Sequence, residues 1–164
     1  LPAKLIVNIE KQSVVRNRLA CLAVSKSPFV LWLDDDVVFE SPNWDVALWQ
    51  RINLEPKTGV LGIRVKHWQL RENTPVRSEG KVPDVCGAVM MTRRVPNVNF
   101  DDNYVGSQWE DTDYCFSVRH AGYDVIQDNS IAVIHYNEEK NRNYTHNQAY
   151  FSRKWNIGQP AAVA

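Results

Sequence analysis

The chain has 164 residues, of which 44% are apolar and 23% charged, with 19 Lys and Arg against 19 Asp and Glu. That length is expected to give one domain over residues 1–164, with enough chain to bury a core. The charge balance argues against a disordered chain and against a general nucleic-acid binder, which needs a cationic surplus to hold phosphates.

In chain order, Lys4 to Ile9 reads as a short strand. Gln12 to Ser25 then places Val15, Leu19, Leu22 and Ala23 on one helical face, and Pro28 ends that helix. Phe29 to Leu33 follows without a polar break, the pattern of a strand covered on both faces in the middle of an α/β sheet. It is the longest strongly apolar run and far too short to span a bilayer, so no transmembrane segment is expected. Ser41-Pro42 opens a second helix, with Ser41 as its cap and Val46, Leu48, Trp49 and Ile52 as its apolar face. Val60 to Val65 is a further strand, and Lys66 to Val82 a polar loop or hairpin. Asp84 to Thr92 is a strand interrupted by Gly87. Pro96 to Gln108, rich in Asn and Asp, is irregular. A helix from Glu110 to Ala121 ends at Gly122. Tyr123 to Ile126 and Ile131 to His135 are two short strands, and the tail after Trp155 is frayed. Strands and helices interleave, which predicts an α/β or mixed α/β class.

Cys21, Cys86 and Cys115 are widely spaced and form no CxxC pair. They read as small core residues in a reducing, cytoplasmic compartment. The chain opens on Leu1 rather than Met, as a fragment or processed product does.

Asp34-Asp35-Asp36, directly after the apolar strand, is the most informative feature. Adjacent carboxylates repel one another, the more so at a buried strand end, and a hard divalent cation such as Mg²⁺ or Mn²⁺ relieves that repulsion. Along an extended chain Asp34 and Asp36 face one site and Asp35 another. The alternative is a solvated acidic turn, since Asp is common where strands end. A second acidic group, Glu110-Asp111-Thr112-Asp113, opens a helix after Gln108-Trp109. Acids in a first turn complement the helix dipole. A carboxylate held there by backbone N–H groups also stays ionised and can accept a proton from an incoming hydroxyl. Trp109 offers a flat apolar face for a sugar ring, or else anchors the core. His135 closes the last strand as a structural histidine, or as the third ligand if the metal site is real. His67, His120 and His146 carry no assigned role.

Four segments, in order, resemble the GT-A glycosyltransferases, particularly the large family-2 group of nucleotide-sugar-dependent enzymes. Arg16-Asn17 within Val15–Ala23 is similar to that family's "ArN-gi--A" helix, and FVLWLDDDV at Phe29–Val37 to its "yilfLDdDv" strand with the DxD motif. VCGAVMMTRR at Val85–Arg94 resembles the strand bordering the acceptor site, and WEDTDYCFSVRHAGY at Trp109–Tyr123 the "gEDtDl--R-r-aGy" helix. Ile131–His135 and FSRKW at Phe151–Trp155 match common family endings. A lone DxD is weak evidence; DxD followed by EDxD at this separation is specific.

The resemblance implies a mixed sheet flanked by helices and a metal-dependent, inverting hexosyltransferase. Such an enzyme moves sugar from a nucleoside-diphosphate donor to a carbohydrate or other hydroxyl acceptor, with Mn²⁺ or Mg²⁺ as cofactor. Asp36 would bind the metal, Asp34 the metal shell or the donor ribose, and His135 would complete the site. Asp111 would be the general base and Glu110 would position the acceptor. Arg16 would lie near the diphosphate, with Asn17, Asp35, Gly87, Trp109 and Asp113 among the substrate-binding residues. The family's first strand–helix–strand unit, which holds the nucleotide base, has no counterpart here. The isolated chain is therefore expected to self-associate, or to dock onto a segment that supplies those strands. The competing readings are a non-catalytic remnant acting as a carbohydrate-binding or interaction module, and a nucleotidyl- or phosphoryl-transferase, which also uses paired acids and metal.

Overall fold

The computed structural model describes residue 10, residues 12–136 and residues 144–157, so the strand expected at Lys4–Ile9 lies outside the described residues. Within them the chain forms α1 (Val14–Val24), β1 (Phe29–Leu33), β2 (Val37–Phe39), α2 (Trp44–Leu54), β3 (Thr58–His67), β4 (Gly80–Lys81), β5 (Val89–Arg93), α3 (Glu110–His120), β6 (Asp124–His135) and α4 (Tyr144–Lys154). The strands make one sheet in the order β1-β5-β3-β6-β2, with β4 also paired to β6. β3 and β6 are parallel and the remaining pairs antiparallel. The class is therefore mixed α/β, with a mixed sheet between helices, as expected.

Alternation along the strands explains the layers. Leu61 and Ile63 of β3, Val89 and Met91 of β5, and Ile126 and Val133 of β6 meet Leu48 and Ile52 of α2 on one face. Val60, Met90 and Val125 turn to the other face, where Val15 of α1, Cys115 and Val118 of α3 and Phe151 of α4 close over them. Burying a side chain the size of Leu48 or Ile52 contributes about 1.5–3 kcal/mol.

Several expectations are corrected. Phe29–Leu33 forms a strand over the predicted residues but stands at the sheet edge, paired only with β5 among the described residues; Phe29, Val30 and Leu31 are half-buried and Leu33 is exposed. Among the described residues its apolar run finds only partial cover on each face. The second helix is capped not by Ser41 but by Asn43, which takes the left-handed conformation (φ 56°) and makes no side-chain cap bond. Asn tolerates that region, and the preceding Ser-Pro forms the turn. Of the predicted apolar face, Leu48 and Ile52 are buried one turn apart, whereas Val46 and Trp49 are exposed. The two short strands after Gly122 are one strand, β6. Its register to β3 jumps from Ile63–Asp128 to Arg64–Ala132, leaving residues 129–131 as a bulge. Asp128 holds that bulge by accepting from the Ser130 N–H and Oγ, and its other oxygen accepts from Arg51 Nε of α2. Cys115 is buried, but Cys86 is half-buried and Cys21 exposed on α1, so only one of the three sits in the core; all three are free thiols.

The expected strand from Asp84 shortens to Val89–Arg93 because residues 84–88 do something else. A Cβ on Gly62 of β3 would stand 2.3 Å from Val85 Cβ, so only glycine lets this segment cross so close to the sheet. That crossing delivers Cys86 and Gly87 to the end of the sheet where the acids gather.

Candidate active site

Asp34 N–H donates to Ala88 O (2.9 Å), extending the β1–β5 ladder by one bond, and Tyr136 N–H donates to Asp36 O (2.9 Å) where β2 starts beside β6. The acidic turn is thus pinned at both ends across the sheet terminus. Asp34 and Asp36 turn toward His135, at the end of β6, while Asp35 is exposed. His135 Nε2 lies 3.1 Å from Asp36 Oδ1 and 3.7 Å from Asp34 Oδ2, and the ligand atoms of all three residues lie within 4.8 Å of one another. Two carboxylate oxygens and one imidazole nitrogen form a donor set that suits Mn²⁺. His135 is buried, with Nδ1 unpartnered among the described residues. Burial pushes the Asp34 carboxyl above its ordinary value. The charges of Asp36 and Asp111 add to that, and Arg18 and His135 oppose it. A divalent cation here would relieve this carboxylate crowding.

The second acidic group lies at the start of α3, which Trp109 enters in the left-handed conformation (φ 69°). Asp111 Oδ2 accepts from Gly87 N–H (2.7 Å) and Oδ1 from Thr112 N–H (2.8 Å). A Cβ on Gly87 would come within 2.8 Å of Oδ2 and 2.9 Å of Asp111 Cβ. Gly87 therefore seats this carboxylate, a purpose the sequence pattern did not disclose. Glu110 is buried, and burial followed by the Asp111 charge raises its pKa well above the usual carboxylate range, against the pull of Arg18.

Arg18 is the residue that the sequence reading missed. Its Nη2 donates to Gly87 O (3.2 Å), and Nη1 lies 3.5 Å from Glu110 Oε1, an ion pair without hydrogen-bond geometry. The guanidinium lies beside the edge-to-face pair of Trp32 and Phe100, 5.9 Å from the Trp32 ring and 5.1 Å from that of Phe100. The signal was present: Arg18 falls between Val15 and Leu22 on the inward face of α1, where an arginine must find buried partners. Arg16, the residue nominated instead, is exposed and pairs with Asp102 at 3.1 Å. Asn17 is exposed on the same helix.

Asp113 does not join the acids near Gly87. It is fully buried and accepts from Lys154 Nζ and Trp155 Nε1, both at 2.8 Å, tying α3 to the end of α4. Trp109 is half-buried and packs 4.9 Å from the Phe151 ring, the core-anchor alternative. The sequence reading also missed α4. Its Asn147, fully buried, accepts from Val105 N–H and donates to the carbonyls of Val105, Ser107 and Gln108, holding the irregular loop that leads into Trp109-Glu110-Asp111.

No family model matches the chain, and no curated protein matches it significantly by sequence. Among solved structures it is similar to a mannosyltransferase from Pyrobaculum calidifontis in complex with GDP-mannose and Mn²⁺. The TM-score is 0.67 at 13% identity, over 95% of this chain and 47% of that one. The likeness establishes a shared fold, of which this chain spans about half the length of the mannosyltransferase. No helix among the described residues is long and apolar enough to cross a membrane.

Proposed function

We propose that this chain is the metal- and acceptor-binding part of a GT-A-type, inverting glycosyltransferase that moves a sugar from a nucleoside-diphosphate donor to an acceptor hydroxyl. One arrangement carries the reading: Asp34, Asp36 and His135 converge on one point, and Asp111 is bonded to Gly87 N–H, next to Ala88, whose carbonyl accepts from Asp34 N–H. Asp34, Asp36 and His135 would hold Mn²⁺ or Mg²⁺, and a metal bound there supplies Lewis-acid neutralisation of the departing diphosphate. Asp111 takes the proton of the acceptor hydroxyl. Each of its oxygens accepts one backbone N–H, and a carboxylate offers about four lone-pair sites, so both can still accept. Arg18 and Gly87 fix that carboxylate and Glu110 in place. Attack by the deprotonated hydroxyl from the face opposite the diphosphate inverts the anomeric centre.

The mannosyltransferase that shares the fold binds GDP-mannose and Mn²⁺, which favours sugar transfer over nucleotidyl or phosphoryl transfer. In the same reading the nucleotide base is held beyond β1, which pairs with β5 alone among the described residues, and the chain works in a reducing, cytoplasmic compartment where its three cysteines stay thiols. The test is nucleoside-diphosphate release from a panel of GDP- and UDP-sugars with Mn²⁺. Release should stop on chelation and fall about 10²–10⁴-fold in Asp111→Asn, the usual loss of a general base. Release that survives both treatments would sink the reading.

A further inference from the structure

Beside the acids the sheet ends in a pair of exposed aromatic side chains. Trp68 follows His67 at the end of β3, and Tyr136 follows His135 at the end of β6. Their rings stack with centroids 4.6 Å apart and planes 28° apart. Each residue is one backbone hydrogen bond from a candidate metal ligand: Trp68 N–H donates to His135 O (3.0 Å), and Tyr136 N–H to Asp36 O (2.9 Å). Trp68 is nevertheless 39% exposed and Tyr136 38%.

The chain after Trp68 is built to hold its place. Leu70 N–H donates to His67 O, Asn73 N–H to Leu70 O, and His67 N–H to Oγ1 of buried Thr74. Buried Lys66 pairs with Glu72 (2.6 Å) and Glu40 (3.0 Å), tying this turn to the segment after β2. Rigid aromatic side chains held in place offer contact area at low entropic cost, as a recognition surface does. The negative face of an aromatic ring suits the polarised C–H groups along one face of a pyranose. Exposed Asp35, next to Asp36, supplies carboxylate oxygens that accept from the hydroxyls around such a ring. Ring faces beside acceptor-only groups select a neutral, hydroxylated ring over an anionic one. A nucleobase also stacks, but the proposed donor has its base beyond β1. In the sheet order that is two strands from β3 and three from β6, about 10–15 Å away.

We propose that Trp68 and Tyr136 form a stacking platform for a pyranose ring of the saccharide substrate. The word substrate rests on the transferase reading, and the ring belongs either to the acceptor or to the sugar of the donor. Methyl glycosides of gluco, galacto and manno configuration are presented to the full chain alone. GDP-mannose, UDP-glucose, GDP and UDP are presented with Mg²⁺, and all binding is read by saturation-transfer NMR. Trp68→Leu and Tyr136→Leu, which keep apolar bulk without a ring, should each weaken at least one sugar about tenfold. Thermal unfolding should stay near that of the wild type, and Trp68→Phe should recover much of the binding; if one leucine variant unfolds, the other carries the test. Loss on a free glycoside assigns the ring to the acceptor, and loss on a nucleotide sugar but not on its nucleoside diphosphate assigns it to the donor. No sugar bound in any arm, equal binding in wild type and variants, or the same loss on GDP or UDP alone overturns the proposal. Glycoside binding that depends on the two rings, without nucleoside-diphosphate release from any nucleotide sugar, would overturn the transferase reading and leave the platform standing.

Discussion

Replacing Arg18 with Met tests the buried arrangement most severely. Met retains much of the packing against Trp32 and Phe100, but the substitution removes the cation beside Glu110 and the donor to Gly87 O. Breaking one side of a buried ion pair costs about 3–5 kcal/mol when the remaining charge stays ionised. For a domain of this length that lowers the unfolding temperature by about 6–20 °C. Glu110 already has a raised pKa, through burial and Asp111, and losing Arg18 raises it further. A carboxyl whose folded pKa lies above its unfolded value gives stability that is complete below the unfolded pKa and is lost as pH rises through the folded one. At pH 5 Glu110 therefore takes a proton in the variant, and the cost shrinks to the lost bond and packing, about 1–2 kcal/mol. Urea unfolding of wild type and variant at pH 5 and pH 8 measures both figures. An equal loss at the two pH values refutes the claim that Glu110 carries the penalty.

Two further substitutions probe how the acids are held. Gly87→Ala should destabilise by about 2–4 kcal/mol in urea unfolding, combining a lost charge-assisted hydrogen bond with overpacking against Asp111; a change below about 0.5 kcal/mol would contradict the seating role. Asn147→Leu strips the partners from Val105, Ser107 and Gln108. Hydrogen exchange should speed up over residues 104–109 while β3 and β6 stay protected, and unchanged exchange there would count against Asn147 as the loop's anchor.

The sheet and most helices were legible because their apolar periods differ: β1, β3 and β6 read as short apolar runs, and α1 and α3 as helices with Pro28 and Gly122 as stops. What the sequence hid were non-local exchanges. Gly87 reads as a break in a strand, and only the approach of Asp111 from α3 shows why no side chain fits there. Asp113 shares its motif with Asp111 but turns to Lys154 and Trp155, a choice set by where α4 packs. α4 escaped notice because Asn147 occupies an inward position where an apolar residue signals a helix face. Gln127 to Ser130 split one strand into two short apolar runs because its polar side chains bond one another within the bulge. Arg16 and Arg18 stand two residues apart, and the helical period alone separates the exposed one from the buried one.

The central claim is that Asp34, Asp36 and His135 hold a divalent metal. Calorimetric titration of the full chain with Mn²⁺, at pH 5.5 and pH 7.5 with GDP present, addresses it directly. Because Asp34 binds its proton more tightly than an ordinary carboxyl, protons compete with the metal, and affinity should be weaker at the lower pH. Asp36→Ala and His135→Ala should each abolish or sharply weaken binding at both pH values without unfolding the chain. Mn²⁺ binding of equal strength in the wild type and Asp36→Ala would contradict the account.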